Sequence, residues 1–264
     1  MAAVLRRLAI AGRGPAAMRL VHAAREHGAA RGEPIELVAL RIAGDGDPLA
    51  VREADEVVDV EAADAGAIAD ALAARAVDAV WIGPGVTADA AALAARCVAL
   101  GLLVVGAPGD PAAPAAGDGD RRLEVPVFTD GRGGALALGV VETSVRDAGG
   151  ALLAECATPP LAPGEEASAH AAAIAAALAS GHAGPAMAVL AADGAAVAQV
   201  VPGLAPEHAV AELTTGLDFA RLLLQSACDD GFEPVAPQPR GHAIQASLRA
   251  DPATGDGTIA LLRL

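Results

Sequence analysis

Short, mostly apolar runs alternate with longer segments of helical spacing along the first 108 residues of the chain. Buried strands are predicted by the short runs, and helices by apolar residues that recur every three or four positions. The predicted strands are Leu8–Ala11, Ile35–Leu40, Val57–Val60, Ala79–Ile82 and Leu102–Val105, and the predicted helices are Ala16–Ala30, Ala65–Ala74 and Ala88–Leu100. Such an alternation forms a parallel sheet with helices on both faces. Residues 1–108 are therefore predicted to be a Rossmann-like α/β domain.

The pattern changes after residue 108. Residues 109–120 are rich in Pro, Gly, Ala and Asp and predict a linker. Residues 121–264 predict an α+β domain, whose strands are mostly antiparallel because short turns join several of them. The predicted strands are Leu123–Thr129, Ala135–Val141, Leu152–Cys156, Met187–Ala191, Ala195–Val201, and a closing hairpin of His242–Arg249 with Thr258–Arg263; the predicted helices are Glu165–Ser180 and most of Pro206–Cys228.

Charge and composition exclude several classes of function. The chain of 264 residues has a formal charge of −15 at pH 7, and all 18 basic residues are Arg because the sequence contains no Lys. A nucleic-acid partner requires a basic surface, so none is expected. Chemistry that depends on a lysine Schiff base or a P-loop lysine is excluded as well. Cys97, Cys156 and Cys228 are widely spaced and form no CxxC pair, which predicts buried thiols rather than a disulfide frame or a zinc site.

Neither a signal peptide nor a membrane span is predicted. Arg6 and Arg7 lead directly into the first strand, without the apolar region and cleavage site of a signal peptide. The longest apolar stretch, Ala169–Ala179, is too short to cross a bilayer. The sequence therefore predicts a soluble, cytoplasmic protein with no membrane partner.

One glycine-rich turn is a candidate ligand site. Residues 12–17 fit the pattern G-x-G-x-x-A between a strand and a helix, so Gly12 and Gly14 could bind the phosphate of a nucleotide through backbone amides at the helix start. Strand two ends at Arg41 and offers no acidic residue at the position that binds the ribose. A tight structural turn is the competing interpretation, and it applies equally to Gly83–Gly85.

The segments, taken in order, resemble the biotin carboxylase component of acyl-CoA carboxylases of the acetyl-CoA and propionyl-CoA type. The opening strand and turn, Leu8–Gly14, are similar to those of that family, as are the segments that follow. These are Met18–Glu26, Arg52–Val58, Glu207–Glu212, Thr215–Asp218 and Arg240–Ile244. The resemblance implies an α/β fold: a Rossmann-like, pre-ATP-grasp domain followed by a unit similar to the C-terminal part of an ATP-grasp fold.

The same resemblance identifies what this chain lacks. The family carries an ATP-grasp lid with phosphate-binding lysines where this chain has residues 109–120, and it carries two Mg²⁺-binding Glu on adjacent strands where this chain places Ala188 and Gln199. The other catalytic positions of the family fall at Val201, Gly203, Arg146, Gly149, Ala151 and Ser247. Of the family's chemical residues only Glu207, at the general-base position, keeps its type. The competing interpretation of Glu207 and His208 is a solvated or cap-like helix start after Pro206.

These departures predict a non-catalytic biotin carboxylase homologue. Phosphoryl transfer depends on carboxylate-held Mg²⁺ and on cations around the phosphates, so no ATP, Mg²⁺ or bicarbonate is expected to bind. His22, His27, His170 and His182 lack metal-ligand spacing, and no metal site is predicted. By analogy of fold, the expected partners are carboxylase subunits: biotin carboxylase, biotin carrier and carboxyltransferase.

Three alternatives remain open. The first is a small-molecule or nucleotide sensor that uses the Gly12–Gly14 turn. The second is a remnant without a present role, which predicts marginal stability and no partner. The third, an active ATP-dependent biotin carboxylase, is disfavoured by the missing ligands.

Overall fold

The structure is a computed structural model that describes residues 5–108, 121–147, 150–151, 153–156, 164–191, 196–228 and 239–247. It contains a five-stranded parallel sheet, followed by a largely antiparallel sheet covered by helices. The predicted α/β fold class, a Rossmann-like unit followed by a partial ATP-grasp-like unit, is confirmed.

The first sheet has the strand order β3-β2-β1-β4-β5, and all its neighbouring pairs are parallel. This order reverses direction between β1 and β4, which places a topological switch point at the carboxyl ends of those two strands. The strands are β1 (Arg7–Ala11), β2 (Glu36–Ile42), β3 (Glu56–Val60), β4 (Ala79–Ile82) and β5 (Leu103–Val104); the helices are α1 (Gly14–Arg31), α2 (Leu49–Glu53), α3 (Ala65–Ala73) and α4 (Ala90–Ala99).

Local signals explain where these helices begin and end. Asp64 and Asp89 cap α3 and α4, because each carboxylate accepts a hydrogen bond from a backbone amide three residues later at 2.8 Å. Helix α1 has Pro15 in its first turn and ends at Gly32, which adopts a left-handed conformation with φ +68°. Helix α2 has a single turn and was not predicted, since five residues are too few to show helical periodicity.

The second sheet runs in the order β13-β12-β6-β8-β11-β14, and β7 also pairs with β6. Its strands are β6 (Leu123–Thr129), β7 (Ala135–Ala137), β8 (Val141–Glu142), β11 (Leu153–Cys156), β12 (Gly184–Leu190), β13 (Val197–Pro202) and β14 (Ala243–Ala246); β9 (Arg146–Asp147) and β10 (Gly150–Ala151) form a separate two-stranded ladder. The predicted strand Ala135–Val141 is thus divided into β7 and β8, both of which pair with β6.

The described residues of the second half include three helices: α5 (Glu165–Ser180), α6 (His208–Thr215) and α7 (Phe219–Ala227). The segment predicted as one long helix divides into α6 and α7, because Gly216 ends α6 in a left-handed conformation with φ +75°. Asp218 then caps α7 by accepting hydrogen bonds from the amides of Ala220 and Arg221 at 2.9 and 3.1 Å. Helix α5 packs its buried alanines against the apolar residues of β6 and β12.

Apolar packing joins the two halves of the chain. One face of the first sheet is covered by α3 and α4, and its core contains no residue of the second half among those described. The opposite face shares one continuous buried cluster with the second half, including Ile10, Trp81, Phe128 and Phe219. At the end of β5, Ala107 donates a backbone hydrogen bond to the carbonyl of Ala183 at 2.8 Å, just before β12.

Several predictions can be compared with the described residues, and others fall outside them. The three cysteines are buried thiols, as predicted. None of the described helices is both long and apolar enough to cross a membrane. Three predictions lie outside the described residues: the linker, the first residue of the strand Leu152–Cys156, and the second arm of the closing hairpin, Thr258–Arg263.

Candidate functional site

The Gly12–Gly14 turn lies at the switch point of the first sheet, where β1 and β4 end side by side. Gly12 follows β1 and Gly83 follows β4, and the indole of Trp81 is packed against both. A Cβ atom added to Gly12 would stand 2.5 Å from the six-membered ring of Trp81, and one added to Gly83 would stand 2.6 Å from it. The need for glycine at these two positions is therefore explained by close packing on a buried tryptophan.

The charged side chains beside the turn are Arg13 and Asp45. The guanidinium of Arg13 donates to Asp45 at 2.7 Å and to the carbonyl of Gly85 at 3.4 Å, so it links the loops that follow β1, β2 and β4. Gly14, at the start of α1, has open space around it. Nucleotide binding at Gly12 and Gly14 stays a prediction.

Glu207 and His208 stand at the beginning of α6, but their environments differ. Glu207 is the residue before the first turn of α6 and is half-buried, with no side-chain bond that caps the helix. His208 is completely buried. Of the two descriptions predicted for the pair, solvated or cap-like, the solvated one is therefore wrong for His208. The sequence could not show this, because its burial depends on β12 and α7, which are distant along the chain.

The imidazole of His208 joins three elements. Its Nδ1 accepts the backbone N–H of Ala205 at 3.0 Å, and its Nε2–H donates to the carbonyl of Ala186 in β12 at 3.3 Å. Its ring meets Phe219 of α7 edge-on, with centroids 4.6 Å apart. Burial lowers the pKa of His208 to about 4. The neutral ring is thus a fixed structural link, and both of its nitrogens are occupied by backbone groups.

A second polar contact joins α1 to α6 and α7. The guanidinium of Arg19 pairs with Glu212, and the same carboxylate oxygen accepts the backbone amide of Phe219 at 2.6 Å. Burial raises the pKa of Glu212, although Arg19 and the Phe219 amide act in the opposite direction. Arg19 lies in one family-like segment and Glu212 in another, so the segments that carry the resemblance meet at this joint. We call Arg19, His208, Glu212 and Phe219 the joint.

The strand register bears on the two metal positions implied by the resemblance, Ala188 and Gln199. Gln199 of β13 pairs with Val189 of β12, whereas Ala188 pairs with Val200. Paired residues share a face of the sheet, and neighbours along a strand point to opposite faces. Ala188 is buried under α5. The residue that shares a face with Gln199 is therefore Val189, so Ala188 and Gln199 lie on opposite faces of the sheet.

A buried cluster of charged side chains lies on this same face. Glu124 of β6 pairs with Val189 and so shares its face. One oxygen of Glu124 accepts Nε of Arg122 at 2.5 Å and Nη1 of Arg146 at 3.4 Å. The side chains of Arg122, Glu124 and Arg146 are only 6, 5 and 12% exposed. We call these three residues the guanidinium cluster. Sequence reasoning missed it, although charged residues at alternate positions 122 and 124 of a strand were a usable signal.

The residues on this face do not fit a divalent cation. Magnesium is held by carboxylate oxygens, but Val189 is apolar and Gln199 is an amide whose buried Oε1 has no hydrogen-bond partner. The one carboxylate of the cluster, Glu124, already accepts from two guanidiniums. Across the described ranges, no group of three or more His, Cys, Asp or Glu could hold a metal ion.

The other positions singled out by the sequence are dispersed. Val201 and Gly203 lie at the end of β13, Ser247 follows β14, Ala151 lies in β10, and Gly149 is outside the described residues. His22 is exposed and His27 is buried, both on α1. His170 contacts the carbonyl of Gly139 at 3.0 Å, and His182 contacts the hydroxyl of Ser180 at 2.6 Å. These histidines therefore stand apart from the guanidinium cluster, at the surface or against local partners.

The N-terminal half of the chain matches a known protein family. Residues 4–111 match the biotin carboxylase N-terminal domain family. The match covers the whole first sheet, including the Gly12–Gly14 turn and β5. A search of curated proteins finds no match to the chain.

Solved structures of carboxylases share the fold across both halves. Pyruvate carboxylase from Rhizobium etli is 19% identical with a TM-score of 0.76, and urea amidolyase from K. lactis is 22% identical with a TM-score of 0.75. Urea carboxylase from Kluyveromyces lactis is 21% identical with a TM-score of 0.72. Each match covers 92% of this chain but only 26, 16 and 24% of the respective protein. The chain thus has a biotin carboxylase-like fold and spans about a quarter of the pyruvate carboxylase chain.

Proposed function

We propose that this chain is a non-catalytic biotin carboxylase-like protein that acts as an accessory or scaffolding subunit of a biotin-dependent carboxylase, with an acyl-CoA carboxylase as the expected complex. The proposal includes biotin carboxylase, biotin carrier or carboxyltransferase chains as partners, and no bound ATP, Mg²⁺ or bicarbonate.

The observation that carries the proposal is the chemistry of the sheet face formed by β6, β12 and β13. Positioning and neutralising a nucleotide triphosphate requires carboxylates for a metal and free cations for the phosphates. This face instead presents Val189, an amide at Gln199, and guanidiniums that already pair with Glu124. Glu207 alone cannot activate a substrate without a partner group to hold that substrate.

The joint supports a structural role for what this chain shares with the family. Arg19, His208 and Glu212 all lie in the segments that carry the resemblance, and each bonds across the boundary between elements rather than into an open cleft. A chain that retains the packing of a carboxylase fold can retain a surface through which such folds associate. The inference to carboxylase partners rests on fold analogy.

The partner claim is tested by tagging the full chain in its native host and identifying what co-purifies. The eluate is probed with streptavidin for biotinylated protein, and a tagged, unrelated acidic protein expressed at the same level serves as control. Recovery of biotin carrier and carboxyltransferase chains in stoichiometric amounts is the expected result. A partner-free chain that remains folded would contradict the accessory role and favour the sensor or remnant alternatives.

The activity claim has its own test and a matched variant. Glu207→Gln removes the one candidate base while keeping the shape of the side chain. We expect the purified wild-type chain and this variant to show the same background release of ADP from MgATP, with or without bicarbonate. Bicarbonate-stimulated release in the wild type that Glu207→Gln abolishes would overturn the non-catalytic assignment.

A further inference from the structure

The guanidinium cluster brings two positively charged side chains and one carboxylate together where little solvent reaches them. Arg122 and Arg146 both point to one oxygen of Glu124, and all three side chains are nearly removed from solvent. A guanidinium group carries a delocalised positive charge. Arg122 and Arg146 therefore bring two such charges to this part of the sheet.

The cluster shares a sheet face with Gln199, one of the two positions that the resemblance assigns to a divalent cation, and with Val189, which pairs with Gln199. Glu124, Val189 and Gln199 form one row across β6, β12 and β13, because each is the paired residue of the next strand. Adjacent strands lie about 4.8 Å apart, so the row is about 10 Å long. Fixed charges at such distances interact strongly where solvent is excluded.

We infer that the guanidinium cluster supplies this sheet face with its own fixed cations, and that these cations exclude a divalent metal ion from the face. The inference rests on the proposed function, since it gives the physical reason that the face cannot support metal-dependent chemistry. It goes further in one respect: carboxylates introduced at 189 and 199 bind a divalent metal ion less tightly while Arg146 remains than after its removal.

The test uses engineered carboxylates and Mn²⁺ as the probe. The double variant Val189→Asp/Gln199→Glu and the triple variant that adds Arg146→Ala are titrated with Mn²⁺, and binding is followed by the paramagnetic resonance of the free ion. We expect the triple variant to bind Mn²⁺ about tenfold more tightly than the double variant, because a fixed like charge has been removed from the face. The wild-type chain is expected to bind no Mn²⁺ at this face.

A charge-matched control separates the local effect from net charge. Adding Arg221→Ala to the double variant removes one positive charge from the exposed surface of α7, far along the chain from the cluster, and should leave the Mn²⁺ affinity unchanged. If the double variant does not fold, the isosteric single variant Gln199→Glu is compared with and without Arg146→Ala.

Equal Mn²⁺ affinity with and without Arg146 would overturn the inference, as would Mn²⁺ binding to this face of the wild-type chain. Neither result depends on a carboxylase partner or on ATP turnover. Failure of this inference is therefore distinguishable from failure of the proposed function, which is decided by co-purification and by bicarbonate-stimulated ADP release.

Discussion

The joint and the guanidinium cluster both bury charged side chains, but they do so for different structural ends. At the joint, Arg19 and Glu212 connect helices from the two halves, and the carboxylate also holds the backbone at Phe219. In the cluster, Arg122 and Arg146 both bond to Glu124, although Arg146 lies in β9, outside the sheet that contains Glu124. The Arg19–Glu212 pair lies in segments that resemble biotin carboxylases. The guanidinium cluster lies on the sheet face that includes Gln199, to which the resemblance assigns a metal-binding role. Within one fold, the residues that pack the elements together can thus resemble a family while the residues at its chemical positions differ.

The largest effect is expected from removing the central carboxylate of the cluster. Glu124→Ala leaves two guanidiniums buried without their shared partner, which should lower the free energy of unfolding by about 3–5 kcal/mol. Urea denaturation of the full chain measures the loss. Glu155→Ala is the matched control, since Glu155 makes an exposed pair with His242 at 2.7 Å and its removal should cost less than about 1 kcal/mol. Comparable losses in the two variants would show that the cluster is not a buried network.

At the joint, the pH dependence of stability should report His208. Its pKa is about 4 when folded and about 6.5 when unfolded, so as pH falls the unfolded chain takes up a proton first. Stability from this residue is complete above about pH 6.5 and is lost as pH falls to about 4, by about 3 kcal/mol in total. The check is urea denaturation at several pH values, with His208→Gln flattening the slope between pH 6.5 and 5. An unchanged slope in that variant would contradict the assignment.

Two glycines with positive φ, one packed against α7 and one in open space, provide a third comparison. Gly106 has φ +75°, and an added Cβ would stand 2.9 Å from Cδ1 of Leu223. Gly106→Ala combines backbone strain with a steric overlap and should reduce the free energy of unfolding by about 2–3 kcal/mol. Gly101 has φ +84° but open space, so Gly101→Ala isolates the strain and should cost only about 1 kcal/mol. Thermal unfolding of the two variants measures both losses of stability. Equal losses would show that the side chain of Leu223 moves aside at no cost in free energy.

The smallest effect is expected from the ion pair of the joint. A double-mutant cycle of Arg19→Met and Glu212→Gln should give a coupling energy of about 1–2 kcal/mol, because the pair is only partly buried and carries a charge-assisted hydrogen bond. Urea denaturation of the four chains measures this energy. A coupling within error of zero would show that α1 is held against α6 and α7 by apolar packing alone.

Local patterns were sufficient to predict most of the elements. The apolar runs of β1 and β4 and the helical spacing of α5 are properties of contiguous residues, so Glu165–Ser180 was predicted with its observed bounds. Gly216 and Asp218 also carried the signal that separates α6 from α7, but the apolar periodicity on either side concealed it.

The site was less predictable because it depends on strand register. Whether Ala188 or Val189 faces Gln199 is decided by which residues pair across β12 and β13. The burial of His208 depends likewise on Ala186 and Phe219, which meet it only in the folded chain. The fold and the carboxylase resemblance could therefore be inferred from the sequence, but the guanidinium cluster and the correct partner of Gln199 could not.

The central claim is that a biotin carboxylase-like fold has here lost the groups that bind a metal–nucleotide substrate. Its most direct test is equilibrium binding of MgATP to the purified full chain, measured by isothermal titration calorimetry in the presence of bicarbonate. The account predicts no saturable heat. A saturable isotherm that Gln199→Ala or Arg146→Ala abolishes, while Arg221→Ala leaves it intact, would place a nucleotide on the face of β6, β12 and β13 and contradict the account.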